Sequence, residues 1–137
     1  NLFGAVYSAH VLEHLRQPHA VVADICRVLK PGGVCYIEVP NHNTLTVPTM
    51  EEFKAQGFVT TTMNFYDDAT HLTPYSCDEL EALFAPVIKV LEKGTIQNPY
   101  LSELLTAYGY QHQDQEITTY GLWLKALWSD YIWIKKQ

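Results

Sequence analysis

Apolar residues along this chain fall into two rhythms, and the rhythm changes several times. Ala5 to Ala9 (AVYSA) is a short apolar run behind Gly4, fit for a buried strand. His10 to Gln17 could hold about two helical turns before Pro18 limits it. Pro is favoured at a first helical position, so the spacing predicts a new helix from Pro18, with Val21 or Val22, Ile25, and Val28 or Leu29 on one face. Lys30, Pro31, Gly32 and Gly33 are expected to end it. Val34 to Val39 (VCYIEV) is almost continuously apolar, with Glu38 its one charge, as for a parallel strand covered on both faces. Strand, helix and strand within about 35 residues make a right-handed crossover unit. The chain opens as an α/β protein.

The rhythm then weakens. Residues 44–75 show no strong period, and a connection of that length in a compact domain is expected to be a lid or binding loop. Ser76 and Glu79 form a capping box for a helix carrying Leu80, Leu83 and Phe84 up to Pro86. Val87 to Lys93 reads as a strand ending at Gly94. Asn98 and Pro99 open a helix in which Leu101, Leu104, Leu105 and Tyr108 form an apolar stripe, expected to be core, with Gly109 closing it. Tyr110 to Thr119 reads as a polar loop, Gly121 to Trp128 as a second helical piece, and Tyr131 to Lys136 as a last strand.

Composition narrows the function classes. The 137 residues fit one domain, 47 % hydrophobic and 18 % charged, and so globular. With 15 acidic against 9 basic residues and a net charge of −6, nucleic acid and anionic membranes are disfavoured as partners. No stretch approaches the ~20 apolar residues of a membrane span. Cys26, Cys35 and Cys77 have no metal-ligand spacing and read as reduced thiols, giving a cytoplasmic expectation. The chain starts at Asn1 and enters an apolar segment at once, as expected of part of a longer chain.

His10, Glu13 and His14 (HVLEH) follow the inverted zinc-hydrolase pattern H-x-x-E-H, in which two imidazoles on one helical face share a metal. Such a site needs a third ligand and an unbroken helix, and Pro18 curtails this one. The expectation is that no metal binds.

The flanks supply another reading. The run VYSAHVLEHLRQPHAVVADICRVLKPGGVCYIEVPN resembles the stretch of class I S-adenosylmethionine-dependent methyltransferases that spans their fourth strand, the next helix and their fifth strand. The matching elements are Val6 to Ser8, Leu12 to Leu15, Arg27 to Gly33, and Val39, Pro40 and Asn41. Thr70 to Phe84 is similar to the family's later segment, in which a histidine and an aromatic-Ser pair precede a helix. The resemblance implies a Rossmann-like half-sheet of order 4-5-7-6 with the last strand antiparallel. Residues 1–137 would be one partial domain, the carboxyl-terminal part of a methyltransferase domain, with a helical insertion over residues 95–129.

That resemblance also implies chemistry. Ser8, Ala9 and His10 lie where the family contacts the methionine end of S-adenosylmethionine. His10, His14 and His71 are candidate bases, and Asn41, His42 and Tyr75 candidate contacts to a small-molecule methyl acceptor. Methyl transfer is a direct displacement at the sulfonium carbon, so orientation supplies most of the rate. The family's glycine-rich cofactor loop and ribose-binding acid have no counterpart here, so this chain alone is expected to bind the cofactor weakly or not at all. A non-catalytic scaffold or interaction module is the alternative. Strand four would be an unprotected apolar edge, and association of copies through Leu2 to Ala9 is expected.

Overall fold

The computed structural model describes residues 2–84 and 88–137. Four strands form one mixed sheet: β1 (Phe3–Ala9), β2 (Leu29–Pro40), β3 (Ile88–Thr95) and β4 (Ser129–Lys136), in the order β1-β2-β4-β3. β1 and β2 run parallel, and β4 is antiparallel to both its neighbours. The spatial order and the antiparallel last strand agree with what the resemblance implies. Pro86 and Val87, expected at a helix stop and a strand start, lie outside the described residues.

The helix α1 (Pro18–Val28) connects the parallel strands, and Pro18 at its first turn needs no amide partner there. With α3 (Cys77–Phe84) it covers one face of the sheet. Val22, Leu80 and Phe84 meet Cys35, Ile37, Val39, Ile132 and Ile134 in that core. Full burial of each large side chain contributes roughly 1.5–3 kcal/mol. β2 was expected to be covered on both faces, but it alternates. Cys35, Ile37 and Val39 are buried while Val34, Tyr36 and Glu38 are half-buried. On that second face Tyr36 stacks on Tyr7 at 5.3 Å and meets Trp133 at 5.0 Å between ring centres.

Two further expectations change near the first crossover. His10 to Gln17 forms no α-helix, only a 3-10 turn over Leu12–His14. The segment is too short to repay helix nucleation, and the residue before Pro18 is driven out of the α region. Lys30 to Gly33 does not follow a longer helix either. The helix ends at Val28 and β2 begins at Leu29, with Gly32 taking φ +75 inside it.

The connection over residues 44–75 is ordered by side chains bonding to backbone. It contains α2 (Met50–Ala55), which carries a Thr49/Glu52 capping box. Asp67 accepts from the amides of Met50, Met63 and Asn64, and Asn64 donates to the Val47 carbonyl. Over it lies a helical hairpin, α4 (Pro99–His112) and α5 (Gln115–Ala126), which fills the region expected to be an insertion. Residues 110–119 are thus helical apart from Gln113 and Asp114, and Asp114 caps α5 by accepting from Ile117. Gly109 does not end α4.

The stripe expected to be core is not. Leu104 is 64 % and Tyr108 50 % exposed, and the buried residues of α4 are Ser102 and Gly109. The hairpin closes through small side chains, which let the two backbones approach. The hairpin is fastened to the connection below it by Trp123 of α5, whose indole N–H donates to the Thr62 carbonyl, and Trp128, in the link to β4, donates likewise to Met63. No helix among the described residues is long and apolar enough to cross a membrane, and the cysteines are all free.

Candidate active site

Ser8, Ala9 and His10 end β1 beside the C-terminal half of β2, the place where open α/β sheets bind ligands. His10 leaves the strand with φ 54, a left-handed conformation unusual for a side-chain-bearing residue. Its amide donates to the Glu38 carbonyl at 2.9 Å, which fixes the bend.

The imidazole of His10 stands between two carboxylates. Nδ1 lies 3.5 Å from Glu13 and Nε2 3.5 Å from Glu38, and the indoles of Trp123 and Trp128 pack 5.5 and 5.6 Å away. Burial alone would lower the pKa of His10, but the two carboxylates outweigh it and raise it to about 9. His10 is therefore a cation at neutral pH. Glu38 is correspondingly held below its ordinary value: burial pushes it up, and His10 and the Tyr36 hydroxyl pull it down further.

Glu13 and His14 meet a distant segment. The Glu13 carbonyl accepts from the amides of Leu72 and Thr73, at 2.7 and 3.2 Å, which pins residues 71–73 against the 3-10 turn. His14 and His71 come to 4.7 Å between ring centres. His14 Nδ1 lies 2.9 Å from the Thr70 hydroxyl, which bonds Asp68 at 2.6 Å, and His71 Nδ1 lies 2.7 Å from the Phe65 carbonyl. Glu13 is fully buried, and neither of its carboxylate oxygens has a hydrogen-bond partner.

The three candidate bases His10, His14 and His71 thus surround Glu13. The candidate acceptor contacts are placed differently. His42 is half-exposed after β2 and pairs with Glu79 at 2.8 Å. Asn41 is buried with its amide group committed: Nδ2 donates to Leu127 and Asp130, and Oδ1 accepts from Asn43. Tyr75 is part of the core under the sheet. Glu38, Thr70, Asp68 and the two tryptophans were not singled out for the site, and Glu13 was noted only within the HVLEH pattern. Glu38 had a signal, as a lone charge in an apolar strand. Asp68 and Thr70 had none, since their role depends on a contact with His14.

A family model described as "Methyltransferase domain" matches residues 1–112. The chain belongs to that methyltransferase family. The class I resemblance carried by Val6 to Asn41 is borne out. By sequence alone, no curated protein matches the chain. Solved structures do. A putative methyltransferase from Haloferax volcanii, in complex with the Trm112 activator, is 19 % identical, with a TM-score of 0.58 over 98 % of this chain and 54 % of its own. A putative sarcosine dimethylglycine methyltransferase from Galdieria sulphuraria is 15 % identical, with a TM-score of 0.56 over 100 % of this chain and 54 % of its own. The [4+2]-cyclase SpnF is 20 % identical, with a TM-score of 0.52 over 99 % of this chain and 51 % of its own. The methyltransferase domain described here thus spans about half the length of these structures.

Proposed function

We infer that the protein is an S-adenosylmethionine-dependent methyltransferase acting on a small molecule, with this chain forming the carboxyl-terminal side of the cofactor and acceptor cleft. The observation that carries the reading is the family match over residues 1–112, taken with the cationic His10 at the C-terminal mouth of the parallel strands. Ser8, Ala9 and His10 border the methionine end of the cofactor, where the His10 charge suits its carboxylate. A cation at neutral pH is no base, so His10 takes the binding role. Where the acceptor is a hydroxyl, proton removal falls to His14, the more exposed of the remaining pair, with His71 packed behind it. His42, half-exposed after β2, faces the acceptor.

Calorimetry of the protein as its gene encodes it, beside the 137-residue chain, tests this reading. Micromolar binding of S-adenosylhomocysteine by the encoded protein, and weak or no binding by this chain alone, is expected. No binding by the encoded protein would overturn the reading in favour of a non-catalytic scaffold. The cyclase among the structural neighbours makes a third outcome concrete, cofactor binding without methyl transfer, because one fold hosts several chemistries.

A further inference from the structure

The lone pairs around Glu13 converge in a way that methyl transfer does not require. Thr70 donates its hydroxyl proton to Asp68 at 2.6 Å, so its oxygen can only accept from His14 Nδ1. His71 Nδ1 faces a carbonyl, Phe65, and must donate to it. In its neutral form each imidazole thereby carries its proton on Nδ1 and its lone pair on Nε2. Metal-binding histidines are oriented in this way, the far N–H being held by a carbonyl or a hydrogen-bonded group. Ligand atoms of His14, His71 and Glu13 lie within 4.8 Å of one another. Bonds of ~2.0–2.2 Å in a tetrahedral site set donors roughly 3.4 Å apart, so small side-chain rotations close the gap.

Glu13 supplies an independent indication. It is a fully buried carboxylate whose oxygens accept no hydrogen bond. Its cationic neighbour is His10, whose Nδ1 stands 3.5 Å away, an ion-pair distance only, and His14 Nε2 lies 3.8 Å away. A buried carboxylate left with such contacts is costly unless a stronger counter-charge is available. The fold also brings in the third ligand that the HVLEH pattern alone lacks, and the amides of Leu72 and Thr73 hold it in place against Glu13. His14, 30 % exposed, leaves one side open to solvent as an entry path.

We propose that Glu13, His14 and His71 form a binding site for a divalent cation of the zinc class, with an open coordination position toward solvent. Imidazole and carboxylate donors suit that class, and thiolates are not needed. The site differs from H-x-x-E-H, because His10 stays outside as the competing counter-charge of Glu13. It stands independently of the methyl-transfer reading. The lone pair of His14 serves either the cation or an acceptor proton, never both at once.

The test uses the protein stripped with a chelator, with Zn²⁺ titrated by calorimetry and Co²⁺ as the spectroscopic probe. One equivalent should bind at micromolar or tighter Kd, and Co²⁺ should show visible d–d absorption of low-symmetry nitrogen and oxygen coordination. Glu13→Gln, close to isosteric, should weaken binding at least about 100-fold, and Thr70→Val, which touches no cation, by about 10–100-fold through the freed His14 tautomer. His112→Ala, an exposed histidine on α4, should change nothing. Circular dichroism of each variant separates lost binding from lost fold. Absence of saturable uptake, or uptake that Glu13→Gln or Thr70→Val leaves unchanged, or that His112→Ala removes, would overturn the site.

Discussion

Gly109 of α4 lies against the backbone of Thr118 in α5 so closely that a Cβ at Gly109 would stand 2.5 Å from the Thr118 amide nitrogen. Gly121 repeats the relationship from the other helix, 2.6 Å from the Thr106 amide nitrogen. Neither obstacle is a side-chain tip that can swing aside. Gly109→Ala should gain ~1 kcal/mol of helix propensity but force the hairpin apart, and overpacking of this kind costs about 1–3 kcal/mol. A net loss of stability in urea unfolding is expected, with Gly121→Ala behaving alike.

Asn41 is expected to matter for stability rather than for acceptor affinity. Its Nδ2 bonds the Leu127 carbonyl at 2.7 Å and Asp130 Oδ1 at 2.8 Å, tying the end of β2 to the start of β4. Asp130 also receives Thr95 and the Cys77 amide. Asn41→Ala leaves a carbonyl and a carboxylate oxygen short of donors inside the fold, a loss of about 2–3 kcal/mol. Asn41→Asp, which sets two carboxylates against each other, should be no milder. Urea denaturation of the three proteins gives the order.

Much of the sheet was legible in the chain because its signals are local. The apolar runs of β1 and β2, Pro18 at the first turn of α1, and the Ser76/Glu79 box each act within a few residues. The α4 stripe misled for a physical reason. A helical apolar period shows that a face exists but not what covers it, and here Ser102 and Gly109 were chosen for backbone approach instead. Asp114, a readable cap, was hidden in a polar run that looked like a loop. The site was half legible. His10, His14 and His71 were visible as residue types, whereas their convergence on Glu13 depends on amides of Leu72 and Thr73 that no spacing reveals.

Glu79 links pH to stability. Its carboxylate accepts from the Ser76 amide at 2.7 Å and faces His42, and these contacts hold it below its ordinary value of 4.5. A depressed folded-state pKa stabilises the fold fully above the unfolded value and ceases to do so as pH falls through the folded one. The pair is about half exposed, so solvent screening keeps the effect under about 1 kcal/mol. Wild type should exceed Glu79→Gln in unfolding free energy at pH 6, and the difference should vanish once the pH has fallen below the depressed folded-state value. A difference that persists there would mean that the charge is not its source.

The two edges of the sheet are not equivalent. β3 carries Lys89 and Lys93, and its register with β4 shifts between Val90 and Glu92, devices that discourage pairing with another chain. β1 has neither lysine nor proline over Phe3–Ala9, and Phe3 and Tyr7 are 52 % and 71 % exposed. Its outer backbone groups are a template, and the stacked Tyr7 and Tyr36 add apolar surface beside it. This chain should therefore associate through β1 and not through β3. Light scattering at ~100 µM, a range where such edges pair, should find a dimer or larger species. Ala5→Lys, at an exposed position opposite Val34, should return the monomer without loss of fold, while Leu91→Lys on β3 should leave the association intact. A wild-type monomer at that concentration would show that β1 is blunted by something other than charge, its bulge between Phe3 and Ala5 being the first feature to examine.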